Sequence, residues 1–149
     1  MSGDGRFVAF TSEATNLPAN GHRQLFVRDI VAGTTVLASV TSLGTPGDGS
    51  SYAPSLSADG RFVAFSSQAS DLVVGDTNGE PDIFIRDLVE GITIRVSVSS
   101  LGEEADGGSY VPTISADGRM VAFVSDAGNL SPGSTGETHQ CFRRALRPE

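Results

Sequence analysis

The stretch SADGRFVAF, Ser57 to Phe65, returns as SADGRMVAF at Ser115 to Phe123 and as SGDGRFVAF at Ser2 to Phe10. The copies are 55 and 58 residues apart, and more than the nonapeptide comes back. Phe26-Val27-Arg28-Asp29 matches Phe84-Ile85-Arg86-Asp87, and Ser39 to Gly44 matches Ser97 to Gly102. Asp48-Gly49-Ser50-Ser51-Tyr52-Ala53-Pro54 matches Asp106 to Pro112. A period this long is that of a repeat architecture, in which each unit is one supersecondary element leaning on the next.

Each piece of the unit reads as a strand. Arg61 to Phe65 is short, aromatic and β-branched, and Ala58-Asp59-Gly60 before it supplies a tight hairpin corner. Ile83 to Leu88 and Ile92 to Ser99 form a second pair of runs joined by Val89-Glu90-Gly91. No window carries a helical period of useful length. Phe62-Val63-Ala64-Phe65 and Ile83-Phe84-Ile85 are apolar on both faces, so a sheet wet on one side is excluded and both faces need cover. Four-stranded sheets stacked radially meet that need, at about 40 to 50 residues per blade. The expectation is an all-β propeller of about three incomplete four-stranded antiparallel blades: blade one 2–44, blade two 45–102, blade three 103–149, truncated.

Composition sets outer limits. The chain has 149 residues, 38% hydrophobic and 19% charged, with 18 glycines and no tryptophan, which excludes a disordered polymer. No apolar run approaches the roughly 18 residues that cross a bilayer, and Met1 is followed by Ser-Gly-Asp-Gly, so no membrane role and no export signal are read from the sequence as it stands. A net charge of −8 repels phosphate backbones, and Arg143, Arg144 and Arg147 are the only basic cluster; nucleic acid is not an expected partner. The single Cys141 makes no intrachain disulfide.

The phrase Tyr52-Ala53-Pro54-Ser55-Leu56-Ser57-Ala58-Asp59-Gly60-Arg61-Phe62-Val63-Ala64-Phe65 resembles the WD40-like (PD40) repeats of the TolB type, a bacterial β-propeller family with a Pro-x-x-Ser-x-Asp-Gly corner. The resemblance implies blades whose inner strand is Tyr52 to Ser57, followed by Arg61 to Ser66, Ile83 to Leu88 and, outermost, Ile92 to Ser99. It also implies a binding platform that is not a catalyst, and a periplasmic or extracellular location. Counted this way the chain holds three, four and three strands. An arc of that size exposes blade faces and strand edges, so self-association is expected, most simply a two-fold homodimer giving six blades.

Two sets of residues are candidates for chemistry. In Gly75 to Asp82, Asp76, Asn78, Glu80 and Asp82 alternate oxygen side chains around Gly79, a pattern that can converge on calcium, although the loop is shorter than the roughly 12 residues of an EF-hand loop. The competing account is an Asx turn in which Asp76 and Asn78 bond their own backbone. Tyr52, Ser55, Tyr110 and Thr113 lie on the implied inner strands and are the expected channel-facing ligand contacts. Glu103, Glu104 and Asp106 read as a solvated loop, and Arg28-Asp29 with Arg86-Asp87 read as structural bridges between blades. His22 and His139 read as surface residues. No nucleophile elbow, P-loop or dinucleotide fingerprint is present. The leading functional expectation is a non-enzymatic TolB-like propeller fragment that binds a protein or small ligand as an oligomeric ring. The alternatives are a propeller hydrolase or lyase with a channel site, or a detached gene segment with no activity of its own.

Overall fold

A computed structural model describes residues 1–18, 20–136 and 139–146. The described residues hold ten strands in three antiparallel sheets. The first contains β1 (Phe7–Ser12), β2 (Gln24–Asp29) and β3 (Thr34–Leu37). The second is a complete blade of β4 (Ser51–Leu56), β5 (Phe62–Ser67), β6 (Asp82–Asp87) and β7 (Ile92–Arg95). The third contains β8 (Ser109–Ile114), β9 (Met120–Ser125) and β10 (Gln140–Ala145). Each sheet is a simple meander, and the strand count is the three, four, three expected.

The two-sided strands are covered as their pattern demands. Between the first and second sheets lies one apolar cluster, with Leu25 and Val27 on one side and Val63, Phe65 and Phe84 on the other. Between the second and third lies another, in which Ala64, Ile83 and Ile85 meet Val121 and Phe123. Val63 and Ala64 are adjacent in β5 and feed opposite clusters, the period-two alternation of a strand buried on both faces. Full burial of side chains of this size stabilises by about 1.5–3 kcal/mol each.

The repeated corner is a polar device. In Ser57-Ala58-Asp59-Gly60 the Ser57 hydroxyl donates to Asp59 at 2.5 Å, and Asp59 accepts from the Arg61 N–H at 3.0 Å. The same bonds recur at Ser2 with Asp4 and at Ser115 with Asp117. The corners are also stitched from blade to blade, Gly3 N–H to the Ala58 carbonyl and Ala58 N–H to the Ala116 carbonyl, both at 2.9 Å.

The Arg-Asp pairs divide their labour. Asp87 stays within its blade, accepting from Arg61 at 2.7 Å and from the turn N–H groups of Val89 and Glu90. It is the arginine that crosses: Arg86 donates to the Thr41 carbonyl of the preceding blade at 3.1 Å, and Arg144 to the Val98 and Ser99 carbonyls at 3.1 and 3.0 Å. Arg144 is thereby a structural residue; Arg147 lies outside the described residues.

One boundary needs correction. The run expected as an outer strand through Ser99 pairs only as Ile92–Arg95. Beyond it the Ser97 hydroxyl accepts from the Ile83 N–H at 3.0 Å, a side chain replacing the ladder, and the chain turns toward the next blade through a Val98–Glu104 bridge.

Candidate functional site

The loop between β5 and β6 brings Asp76 to Asp82, the first residue of β6, and Glu104, from the connection between blades two and three, joins them. Ligand oxygens of the three lie within 4.8 Å of one another. Arg95, the last residue of β7, reaches into this cluster. Its Nη1 stands 2.5 Å from Glu104, 3.4 Å from Asp82 and 3.5 Å from Asp76, and its Nη2 donates to the Gly75 carbonyl at 3.0 Å. The guanidinium thus occupies the position from which a cation would meet all three carboxylates. The Asp82 and Asp76 side chains are 0% and 4% exposed, so one cation faces up to three anions in a nearly dry setting.

That imbalance appears in the titration. Burial first, then repulsion by Asp82, pushes the Asp76 carboxyl up to about 6 against the pull of Arg95. Asp82 is raised as well, burial outweighing its bonds to Ser97, Arg95 and Asn78. Glu104 goes the other way. Burial opposes its ionisation, but the hydroxyl and N–H of Thr77, both at 2.7 Å, and Arg95 hold it down to about 2.

Of the four residues expected to gather oxygens, Asp76 and Asp82 converge, while Asn78 turns its nitrogen to Asp82 at 3.0 Å and to the Ala105 carbonyl at 2.9 Å. The Asn78 oxygen accepts the Glu80 N–H at 2.9 Å, an Asx turn, and the Glu80 side chain stays exposed. Glu104 was visible in the sequence only as one acid of a loop, and Arg95 carried no signal at all. Blade one builds the same scaffold without charge: Gln24 takes the place of Asp82, accepting from the Ser39 hydroxyl as Asp82 accepts from Ser97, and donating to Asn20 at 2.8 Å and to the Gly47 carbonyl at 2.9 Å. Charge at this corner is therefore not a requirement of the fold. In blade three, Glu137 and Thr138 of the corresponding loop lie outside the described residues.

The second gathering lies on the inner strands. β4 and β8 run beside one another, and each shifts register once against its neighbour, between Tyr52 and Ser55 and between Tyr110 and Thr113. At these bulges Ala53 and Val111, each just before a proline, hold φ of +49°, a left-handed conformation that is unfavourable for any side chain and most for a β-branched one. At the bulges Tyr52 and Ala53 of one blade, and Tyr110 and Val111 of the next, line one hollow of about 200 Å³ together with Ser66, Gln68 and Pro81. Arg23 lies over the Tyr52 ring at 5.7 Å, and His139, whose Nδ1 sits against the Asp126 carboxylate, stacks on Tyr110 at 6.1 Å. Burial, and then the charges of Asp126 and Glu80, raise the Tyr110 hydroxyl pKa. Ser55 is not part of the hollow; its oxygen accepts the Ile114 N–H at 3.1 Å across the blades. Thr113 pairs with Ala122 in the ladder and stays exposed outside it.

Solved structures share this architecture. TolB from Acinetobacter baumannii superposes with a TM-score of 0.56 at 21% identity, covering 97% of this chain and 28% of its own. A putative TolB from Agrobacterium tumefaciens gives 0.56 at 22% identity over 83% of this chain and 36% of its own. The tricorn protease gives 0.62 at 15% identity over 99% of this chain and 13% of its own. The chain is an all-β, TolB-like propeller arc, and it spans about a third or less of the length of these structures. No family model and no curated protein matches it.

Proposed function

We propose that this chain is a non-enzymatic binding module whose ligand contacts sit at the Tyr52–Tyr110 hollow, in a ring that further blades complete by self-association. The observation that carries this reading is the pair of bulges, each with a non-glycine residue at φ +49° in the same place in successive blades. Strained backbone of this sort costs on the order of 1–3 kcal/mol per residue and concentrates at binding sites, where it aims side chains that a regular ladder would hide. The acids that an enzyme would need in the channel loops are otherwise engaged. Asp48 accepts from the N–H and hydroxyl of Ser70 at 2.7 and 2.9 Å, and Asp106 from the Gly128 N–H at 2.6 Å. The carboxylate pushed to about 6 is Asp76, which shares its place with Arg95 and does not line the hollow. By its likeness to TolB we further propose a location outside the cytoplasm.

The test is a displayed heptapeptide library panned on the protein and counter-selected on Val111→Lys, a change at a side chain that is 65% exposed and lines the hollow. The expected result is a family of peptides kept by the parent and lost by the variant. Peptides held equally by both, or none at all, would overturn the reading.

A further inference from the structure

We infer that the hollow between Tyr52 and Tyr110 takes one aliphatic side chain of a basic polypeptide segment, an inference that rests on the binding reading above and gives its ligand a chemistry. Size argues first. At about 200 Å³ the hollow falls below the roughly 300–1,000 Å³ of sites that enclose a whole small molecule, so its occupant is one side chain of something larger. The walls select the type. Two tyrosine rings and the side chains of Ala53, Pro81 and Val111 meet it, a lining that rewards apolar surface.

The rim selects what flanks that side chain. Glu80 precedes Pro81 of the lining and Asp126 lies against His139 on the Tyr110 ring, while on the other side Arg23, over Tyr52, is already paired with Glu13 at 2.9 Å. Three carboxylates, Glu13, Glu80 and Asp126, thus stand around the two tyrosines with one guanidinium and the His139 imidazole, in a chain of net charge −8. A ligand with lysine or arginine beside its aliphatic residue meets a complementary field, and an acidic ligand meets repulsion. The ladder adds a geometric condition. The hollow lies between the inner strands of successive blades, so the ligand crosses from β4 to β8 in extended form, presenting alternate side chains to the two sides.

The protein carries its own reporter. It has no tryptophan and two tyrosines, Tyr52 and Tyr110, both in the hollow, so intrinsic tyrosine emission reads occupancy directly. The probes are blocked hexapeptides without aromatic residues: alternating leucine and lysine, alternating serine and lysine, and alternating leucine and glutamate. The leucine–lysine peptide is expected to change the emission saturably and to weaken as salt rises. The serine–lysine peptide is expected to bind at least about tenfold more weakly, the loss for one unburied aliphatic side chain. The leucine–glutamate peptide is expected to bind no better than the serine one, and Val111→Lys, with an unchanged circular dichroism spectrum, to lose the leucine–lysine response. Equal binding of the leucine–glutamate peptide overturns the basic class while leaving a binding hollow. Equal binding of the serine–lysine peptide overturns side-chain insertion. No response to any of the three overturns this inference, and if panning also fails the binding reading falls with it.

Discussion

The Phe7 ring of blade one lies directly against the α-carbon of Gly60 in blade two, so that a Cβ built on Gly60 would fall 2.2 Å from the ring edge. Phe62 meets Gly118 of blade three in the same way, at 2.5 Å. The glycine of the repeated corner thus does two things: its φ of +71° turns the hairpin, and its bare face seats the aromatic side chain of the preceding blade.

Those two roles separate by substitution. Gly5 shares the corner conformation, at φ +74°, but a Cβ there would meet only the Met1 sulfur at 3.9 Å. Gly5→Ala is therefore expected to cost only the left-handed backbone, about 1–2 kcal/mol. Gly60→Ala adds an overpacked contact and is expected to cost about 2–4 kcal/mol. Urea unfolding of the two variants measures the difference; equal losses would mean that Phe7 moves aside freely and that the seat has no energetic weight.

The buried acids predict a stability that falls as pH rises. The Asp76 carboxyl is raised from 3.8 to about 6 in the folded chain, so its contribution is present in full below pH 4 and is lost as pH climbs through 6. Asp82, also raised, acts in the same direction. Glu104, lowered to about 2, contributes above pH 4.5 and loses its contribution only on acidification below that, outside the window. Denaturant unfolding between pH 4.5 and 7.5 is expected to reveal a decline of up to about 2 kcal/mol from Asp76, the part of its contribution that lies within that window. Asp76→Asn keeps the shape and removes the charge; it is expected to flatten that decline and to stabilise the protein at pH 7.5. A decline of the same size in the variant would clear Asp76 of responsibility.

Arg95 decides how the same cluster answers calcium. With the guanidinium in place, the carboxylates already have a cation at 2.5–3.5 Å. Arg95→Met leaves three acids with no counter-ion and is expected to destabilise by about 3–5 kcal/mol in a chelator. Millimolar calcium is then expected to restore about 1–2 kcal/mol to the variant and less to the parent. Melting curves with and without the metal test this. A larger calcium response in the parent would mean that the metal binds with Arg95 in place.

How far the sequence could be read follows from what sets each feature. Val63 and Ala64 announce a sheet covered on both faces because burial leaves its mark in residue type, and the corner announces itself because Asp59 and Gly60 are dictated by local geometry. The convergence of Asp76 with Glu104 is a different matter. They come from connections 28 positions apart, and only the stacking of blades brings them together. Arg95 was hidden by its neighbours: in a strand of isoleucines and a threonine, one charge at the edge reads as a solvated end. The Tyr52 and Tyr110 pair was legible as inner-strand residues, but Val111 was not, since nothing in a β-branched residue before a proline foretells a positive φ.

Ring completion is the remaining expectation, and the two ends of the arc make it testable. Arg28 stands where Arg86 and Arg144 reach the carbonyls of a preceding blade, and its guanidinium bonds Thr35 of its own blade at 3.1 Å as Arg86 bonds Thr93. Ile30 follows the same logic: its counterpart Leu88 lines the groove with Phe7, Val27 and Val36, whereas Ile30 is 58% exposed. The outward side of the first blade thus offers Arg28 and an exposed Ile30 to another blade, and the self-association proposed above makes a second copy of the chain the occupant to test. At the opposite end β10 turns Cys141, Arg143 and Ala145 outward where β6 buries Ile83, Ile85 and Asp87, so that the junction between copies is more polar than those within one. A weak, concentration-dependent dimer is therefore the expected state. Sedimentation at tens to hundreds of micromolar is expected to detect it, and Ile30→Asp or Arg28→Ala to weaken it by about tenfold or more each. A parent that stays monomeric across that range, or variants that associate as well as the parent does, would mean that the first blade docks on something other than its own kind.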